Sequence, residues 1–258
     1  MKNFLGDEIP DMLYRYMPWR LDKETGKNYA KELLLNKQIF LQSANNFNDP
    51  FDTALILKMT GSGKLLVKRY AFAYRNYNHK EASKQDKKNI RKTPLRDRIK
   101  VAERHMQVTR KLTGIYCLSK CNKNILLWSH YADNHTGICL AFNTKQNPFS
   151  LAVKVEYDNE YPKINYLRSD IVTIIRKKYL TKAMDWHYEN EYRIVLSNYA
   201  GKRMFFLPES LKGIFCGCNM REDDILDLKE TLKNSKLCVP VYQAEKEKSA
   251  YRLKFKSI

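Results

Sequence analysis

Two stretches of this 258-residue chain carry side chains that could act together chemically. The first is Asp185-Trp186-His187-Tyr188-Glu189-Asn190-Glu191-Tyr192-Arg193. Residues 189–196 read as a strand, and on a strand positions 189, 191 and 193 share one face. Two carboxylates and a guanidinium become neighbours there, while Tyr192 and Ile194 face the core. On a solvent face this is only a charged strand surface. In a cleft, the like charges raise one carboxylate pKa and Arg193 orients the other. Such an arrangement suits stabilising a developing cation or deprotonating a nucleophile.

The second stretch is Leu126-Leu127-Trp128-Ser129-His130-Tyr131-Ala132-Asp133-Asn134-His135-Thr136-Gly137. It sets an apolar helix beside polar groups able to hydrogen-bond a ligand. It stops at Gly137, expected in the left-handed conformation that ends many helices. An ordinary amphipathic helix packed by Trp128 and Tyr131 is an equally weighted reading.

Other patterns carry less. Gly61-Ser62-Gly63-Lys64-Leu65 is not a phosphate loop: Leu65 stands where a magnesium-binding hydroxyl belongs, and the first glycine is misplaced. It reads as a turn into a helix. The histidines at 79, 105, 130, 135 and 187 show no HExxH spacing. Cys117-x3-Cys121 and Cys216-x-Cys218 lack the second ligand pair of a zinc site, so no metal is expected.

The elements that must position these groups interleave irregularly. Strands are expected at 13–16, 38–43, 53–58, 114–119, 137–142, 151–157, 189–196, 204–207, 213–216, 237–243 and 251–255. Helices are expected at 28–36, 125–132, 170–183 and 221–232. Without a steady βαβ rhythm, the fold class is α+β. Nothing reads as a linker, so 1–258 is expected to be a single domain.

Charge is unevenly spread. The chain has 47 Lys+Arg against 28 Asp+Glu, a net +19, with 43% hydrophobic residues, enough for a packed core. Residues 62–113 hold 16 Lys+Arg and 4 Asp+Glu, so this helical stretch, broken at Pro94, supplies +12 of the +19. That favours a polyanionic partner, nucleic acid first. No transmembrane run or secretory signal is seen, and free cysteines suit a cytoplasmic location, away from membranes.

Several pieces resemble a bacterial family known as domain of unknown function 2971: Leu13-Tyr14-Arg15-Tyr16, Phe47-Asn48-Asp49-Pro50-Phe51-Asp52, Leu127 to Gly137, Val155-Glu156-Tyr157, and Lys182 through Trp186 to Arg193. The stretch 62–113 matches none of these and looks like a basic helical insertion. The order of motifs is also similar to the ADP-ribosyltransferase superfamily, although a Ser-Thr-Ser strand and a His-Gly pair in the first motif are lacking. That resemblance implies an ADP-ribosyltransferase-like core of mixed or antiparallel strands, with NAD as cofactor. Cleaving the nicotinamide–ribose bond builds a cation, and the resemblance gives Glu191 the role of stabilising it while Glu189 activates the nucleophile. Arg15, with Tyr14 beside it, would hold the pyrophosphate. Tyr131 or Tyr116 would stack on nicotinamide, with Trp128, His130, Asn48 and Asp49 as further cofactor-binding candidates.

The expected function is therefore NAD-dependent ADP-ribosylation of DNA or RNA. Lys84, Lys87, Lys88, Arg91, Lys92, Arg96, Arg98 and Lys100 would contact phosphates, and Tyr70, Tyr74 and Tyr77 would stack bases. Such an enzyme would harm its own cell, which points to a toxin or phage-defence effector with an antitoxin or regulatory protein as partner. Two rivals stand beside it: a non-catalytic nucleic-acid-binding protein, and a magnesium-dependent nuclease using Asp49, Asp52, Glu189 and Glu191.

Overall fold

The computed structural model describes residues 2–3, 6–78 and 80–258, leaving aside the side chains of 76–78 and 95; His79 and the Tyr77 side chain therefore lie outside the described residues. The chain divides into two compact units. The first comprises Met1–Gln42, Gly114–Val155 and Asp185–Ile258, and the second Ser43–Thr113 and Glu156–Met184. The basic stretch 62–113 thus lies in one unit with residues 43–61 and 156–184.

The first unit is α+β, as expected, built on a mixed sheet. Its strands are β1 (Met12–Met17), β2 (Gly114–Ser119), β3 (Ile138–Asn143), β4 (Val153–Lys154), β5 (Glu191–Leu196), β6 (Leu211–Cys216), β7 (Val241–Lys246) and β8 (Leu253–Ser257). They lie in the order β8-β7-β6-β3-β1-β2-β5-β4. Only β6 and β7 run parallel among these neighbours. The central strands β2 and β3 are near-continuous apolar runs because both sheet faces are covered there. Leu13, Leu140, Leu118, Tyr116, Tyr192 and Ile194 face one core, which takes Leu33 and Leu34 of α1 (Tyr29–Asn36) and Leu228 of α3 (Glu222–Ser235). Tyr16 and Cys139 face the other, which takes Leu127 and Trp128 of α2 (Ile125–Tyr131).

The turn after α2 departs from expectation. Asp133, Asn134 and His135 take positive φ (49°, 54° and 67°), and Gly137 does not. Asp, Asn and His are the side-chain-bearing residues that tolerate this region best. Gly137 is needed for close approach instead. A Cβ there would lie 2.3 Å from the Met17 carbonyl oxygen, and one on Gly217 would lie 2.0 Å from that of His135.

In the second unit the basic stretch forms three helices, Gly63–Asn78, Lys84–Lys92 and Leu95–Leu112. Pro94 separates the last two, as its missing N–H requires. Ser83 opens the middle helix with a capping box, accepting from the Asp86 N–H at 3.0 Å while Asp86 accepts from the Ser83 N–H at 3.1 Å. The Gly61–Lys64 stretch leads into the first helix, with Ser62 Oγ accepting from Leu65 N–H at 3.4 Å. Leu66, Ile90, Ala102, Met106, Ile164 and Tyr166 form this unit's core. Ile56–Lys58 pairs in parallel with Lys163–Asn165, and Glu156–Asp158 with Thr181–Ala183. The helix expected at 170–183 ends at Tyr179, because residues 181–183 are recruited as a strand. The strand expected at 151–157 is split between the units. Among the described residues, no helix is long and apolar enough to cross a membrane.

Lys178 is buried in this unit, and its Nζ donates to the Met106 carbonyl and to Thr109 Oγ1. Burial, reinforced by Arg110, pulls its pKa down to about 7. In the unfolded chain the amine keeps its proton to near its ordinary value of 10.5. Between these values the unfolded state binds more protons, so stability rises with pH. Three thiols that burial holds above their usual range, Cys117, Cys139 and Cys216, act in the opposite sense, because the unfolded chain loses their protons first. Thermal melts followed by circular dichroism should therefore be read as a difference: from pH 7 to pH 9.5 wild type should gain stability relative to Lys178→Met, and a difference that does not change with pH would remove Lys178 as the cause.

Candidate functional site

Glu191 and Arg193 lie on one face of β5, as the two-residue period predicts, and that face is buried. Glu191 is 4% exposed and Arg193 0% exposed. Arg193 forks across the carboxylate, donating from Nε to Glu191 Oε1 at 2.8 Å and from Nη2 to Oε2 at 2.9 Å. The charged solvent face is thereby excluded for these two residues. Opposite them in register, Ser119 pairs with Glu191 and Cys117 with Arg193. Burial, and after it the charge of the Glu191 carboxylate, holds the Cys117 thiol well above its usual range, against the opposing pull of Arg193 and Arg15. Cys117 is therefore a protonated neighbour of the carboxylate and not a thiolate.

Glu189 is not on the strand. It ends a 3-10 segment, Met184–Glu189, and Asn190 follows with φ 45° before β5 begins at Glu191. The expected shared face of positions 189, 191 and 193 is thus corrected to 191 and 193. A left-handed residue between the carboxylates breaks the two-residue alternation. Glu189 is nevertheless buried, at 4% exposure, and firmly placed. Ser119 Oγ donates to its carbonyl at 2.7 Å, and Lys120 N–H donates to the Asn190 carbonyl at 3.0 Å. Asn124 links this turn to α2. Its Oδ1 accepts from Leu126 N–H (2.9 Å) and Leu127 N–H (3.3 Å) at the helix start, while its Nδ2 donates to the Tyr188 carbonyl at 2.8 Å. As a result Tyr131, at the end of α2, donates its hydroxyl to Glu189 Oε1 at 2.7 Å.

Aromatic rings gather beside Glu189. His130 is exposed and lies 6.2 Å from the Tyr131 ring and 6.5 Å from that of Trp186, which in turn is 6.0 Å from Tyr188. These rings and the two carboxylates form the candidate site. Ser119 and Asn124 were not singled out from sequence, and Trp186 was named within the 185–193 stretch without a role. Ser119 offered one signal, a hydroxyl inside an otherwise apolar strand.

The other expected residues are placed differently. Trp128 is fully buried, edge-on to Tyr16 (5.2 Å) and stacked on His135 (6.2 Å), with its Nε1 donating to the Asn122 carbonyl. Tyr116 is also in the core, and its hydroxyl has no hydrogen-bond partner among the described residues. Neither ring is available to stack on a ligand, so both are corrected from cofactor contacts to core residues. Tyr14 pairs with Ser119 and shares the face of Glu191, half-buried against Phe215. Strand alternation therefore sends Arg15 to the opposite face. There its guanidinium lies 4.9 Å over the Tyr116 ring and donates to the Cys117 carbonyl at 2.9 Å. Arg15 is thus corrected too: it braces β2 from the face away from Glu191.

Asn48 and Asp49 belong to the second unit. Asn48 is exposed; Asp49 is buried, accepts from Phe51 N–H at 2.8 Å through Oδ1, and leaves Oδ2 without a hydrogen-bond partner among the described residues. Of the expected phosphate contacts, Lys84, Lys88, Arg91, Lys92, Arg96 and Lys100 are exposed and Lys87 is half-buried. Arg98 is half-buried, donating from Nε to Thr93 (2.5 Å) and from Nη2 to Arg91 (2.9 Å) backbone carbonyls. Among the described residues, no group of three or more His, Cys, Asp or Glu is placed to hold a metal ion.

No curated protein and no solved structure matches the chain. The model of a family described as a protein of unknown function, DUF2971, matches residues 127–194, a segment that runs from α2 through Tyr131 and Glu189 to the Glu191–Arg193 pair. Over those residues the chain is similar to the DUF2971 family, and the rest of the chain lies outside the match.

Proposed function

We propose that this protein transfers ADP-ribose from NAD to nucleic acid, at the site formed by Glu189, Glu191 and Tyr131. The observation that carries the proposal is the pair of buried carboxylates, one forked by Arg193 and the other fixed by Tyr131. A buried ion pair is often no better for stability than apolar residues of the same size. Two ionisable groups kept dry and tightly oriented beside aromatic rings therefore point to chemistry.

NAD, when bound, supplies the ribose carbon that is transferred. The rings of Tyr131, His130 and Trp186 suit a planar nicotinamide, whereas Arg15, Tyr116 and Trp128 do not fit the contacts first expected of them. Glu191, forked by Arg193, supplies negative charge where positive charge develops as nicotinamide leaves. Glu189 accepts the proton lost by the incoming nucleobase, and the Tyr131 hydroxyl keeps its carboxylate aimed. The finer fold reading, an ADP-ribosyltransferase-like core, goes with this mechanism. So does a cytoplasmic toxin or phage-defence role restrained by an antitoxin.

The test is incubation with NAD labelled separately in its nicotinamide and adenine portions, with single-stranded DNA and RNA present. Nicotinamide should be released in step with adenine label entering the strand. Tyr131→Phe should slow transfer to the strand about 10- to 100-fold, more than it slows release of nicotinamide to water, matching the roughly 1.5–3 kcal/mol of a hydrogen bond to a charged group. No turnover with any nucleic acid would end the proposal, leaving a binding protein. Magnesium-dependent strand cutting would favour the nuclease.

A further inference from the structure

We infer that the second unit contains a pocket for a single unstacked nucleobase, so that it grips single-stranded nucleic acid by one inserted base as well as by charge. This deepens the nucleic-acid part of the proposed function and is independent of NAD turnover.

The basic helices enclose a cavity of about 230 Å³. Its walls include Tyr70, Tyr74, His105 and Tyr166, with Arg98 and Arg104 at its edge. The Tyr70 and Tyr74 rings lie 5.9 Å apart, and His105 and Tyr166 meet edge-on at 5.8 Å. The Tyr166 hydroxyl and His105 Nδ1 are 2.9 Å apart, which locks that wall. Burial first, then the charges of Lys178 and Arg69, lower the His105 pKa to about 4, so the imidazole is neutral. The aromatic walls thus carry no charge. The cations stand outside them: Arg104 is exposed, as are Lys88, Arg91 and Lys100 on the same helices.

Three features select the occupant. The space is below the roughly 300–1,000 Å³ of a pocket for a drug-sized ligand, so it suits one ring system. Aromatic walls stack any base, since every base has a π-face. The cationic surroundings match a ligand whose flat apolar part is flanked by phosphates. A duplex keeps its bases stacked and unavailable, so a single strand is required.

The test uses fluorescein-labelled single strands of DNA and RNA, and a duplex, read by anisotropy over a range of salt. Ala73 also lines the pocket, so Ala73→Trp fills it, and Tyr74→Ala removes a stacking wall. Each should weaken single-strand binding roughly tenfold, within the range for losing one base-stacking aromatic. Neither should alter the slope of affinity against salt, because the phosphate contacts stay. Lys88→Glu with Arg91→Glu should instead flatten that slope. Circular dichroism confirms that each variant is folded. Saturation-transfer NMR of wild type with adenosine, which is uncharged, gives an arm that needs no variant: base protons should take up saturation more than ribose protons. The inference is overturned if both pocket variants bind within twofold of wild type, if duplex binds as well as single strand, or if adenosine receives no saturation. Loss of NAD turnover alone would sink the transferase reading and leave this pocket standing.

Discussion

Replacing Arg193 with methionine should lower the stability of the first unit by about 3–5 kcal/mol, the cost of stranding one partner of a buried ion pair. Arg193 is completely enclosed and satisfies both oxygens of Glu191. Methionine fills much of the volume but leaves the carboxylate without its cation in a medium that solvates it poorly. The double variant Arg193→Met, Glu191→Leu should recover most of the loss, because removing both charges removes the desolvation cost. All three tryptophans, Trp19, Trp128 and Trp186, lie in the first unit, so their fluorescence in urea reports that unit. A single variant within about 0.5 kcal/mol of wild type, the span of an ordinary surface change, would show that the carboxylate is not stranded.

Glu191→Gln is expected to reduce nicotinamide release about 10²–10³-fold, the scale set by removing one group aimed at developing charge. The amide is nearly the same size, but it leaves the enclosed Arg193 without its counter-charge and sets an NH2 against one of its donors, so circular dichroism must show the variant folded before its rate is compared. What disappears is the negative charge. Glu189→Gln should behave differently: release of nicotinamide to water should persist better than transfer to a strand, because the residue acts on the nucleophile. Equal loss of both reactions in Glu189→Gln would merge the two roles. Unchanged release in Glu191→Gln would remove Glu191 from the chemistry.

Much of the first unit is legible along the chain. Apolar runs such as Ile138–Phe142 announce strands covered on both faces, and the period of two correctly joins Glu191 to Arg193. Glu189 was misplaced because one residue, Asn190, turns left-handed, and a single such turn resets the alternation. Asparagine tolerates that conformation, so the signal was present but weak. The burial of Trp128 was one of two equally weighted readings and that of Tyr116 was not readable, since an aromatic that lines a pocket and one that fills a core have the same spacing. Arg15 shows a different limit. Its own strand alternates visibly, but its side relative to Glu191 depends on the register of Tyr14, Ser119 and Glu191, which only strand pairing sets. The union of residues 43–61 and 156–184 with the basic stretch rests on contacts a hundred residues apart. Ile56–Lys58 pairing with Lys163–Asn165 leaves no local trace.

That pairing also governs the order in which the protein can be made. The chain crosses between the two units at residues 42–43, 113–114, 155–156 and 184–185. Synthesis delivers residues at roughly 5–20 per second, and units fold as wholes. The three basic helices therefore leave the ribosome well before residues 156–184, which complete their unit. The first unit waits longer still, for β8 at 253–257. The basic stretch 62–113 is exposed in the nascent state beside ribosomal RNA, and its closure comes only when the second segment emerges. A stop after residue 113 would release the charge without the segment that completes its unit.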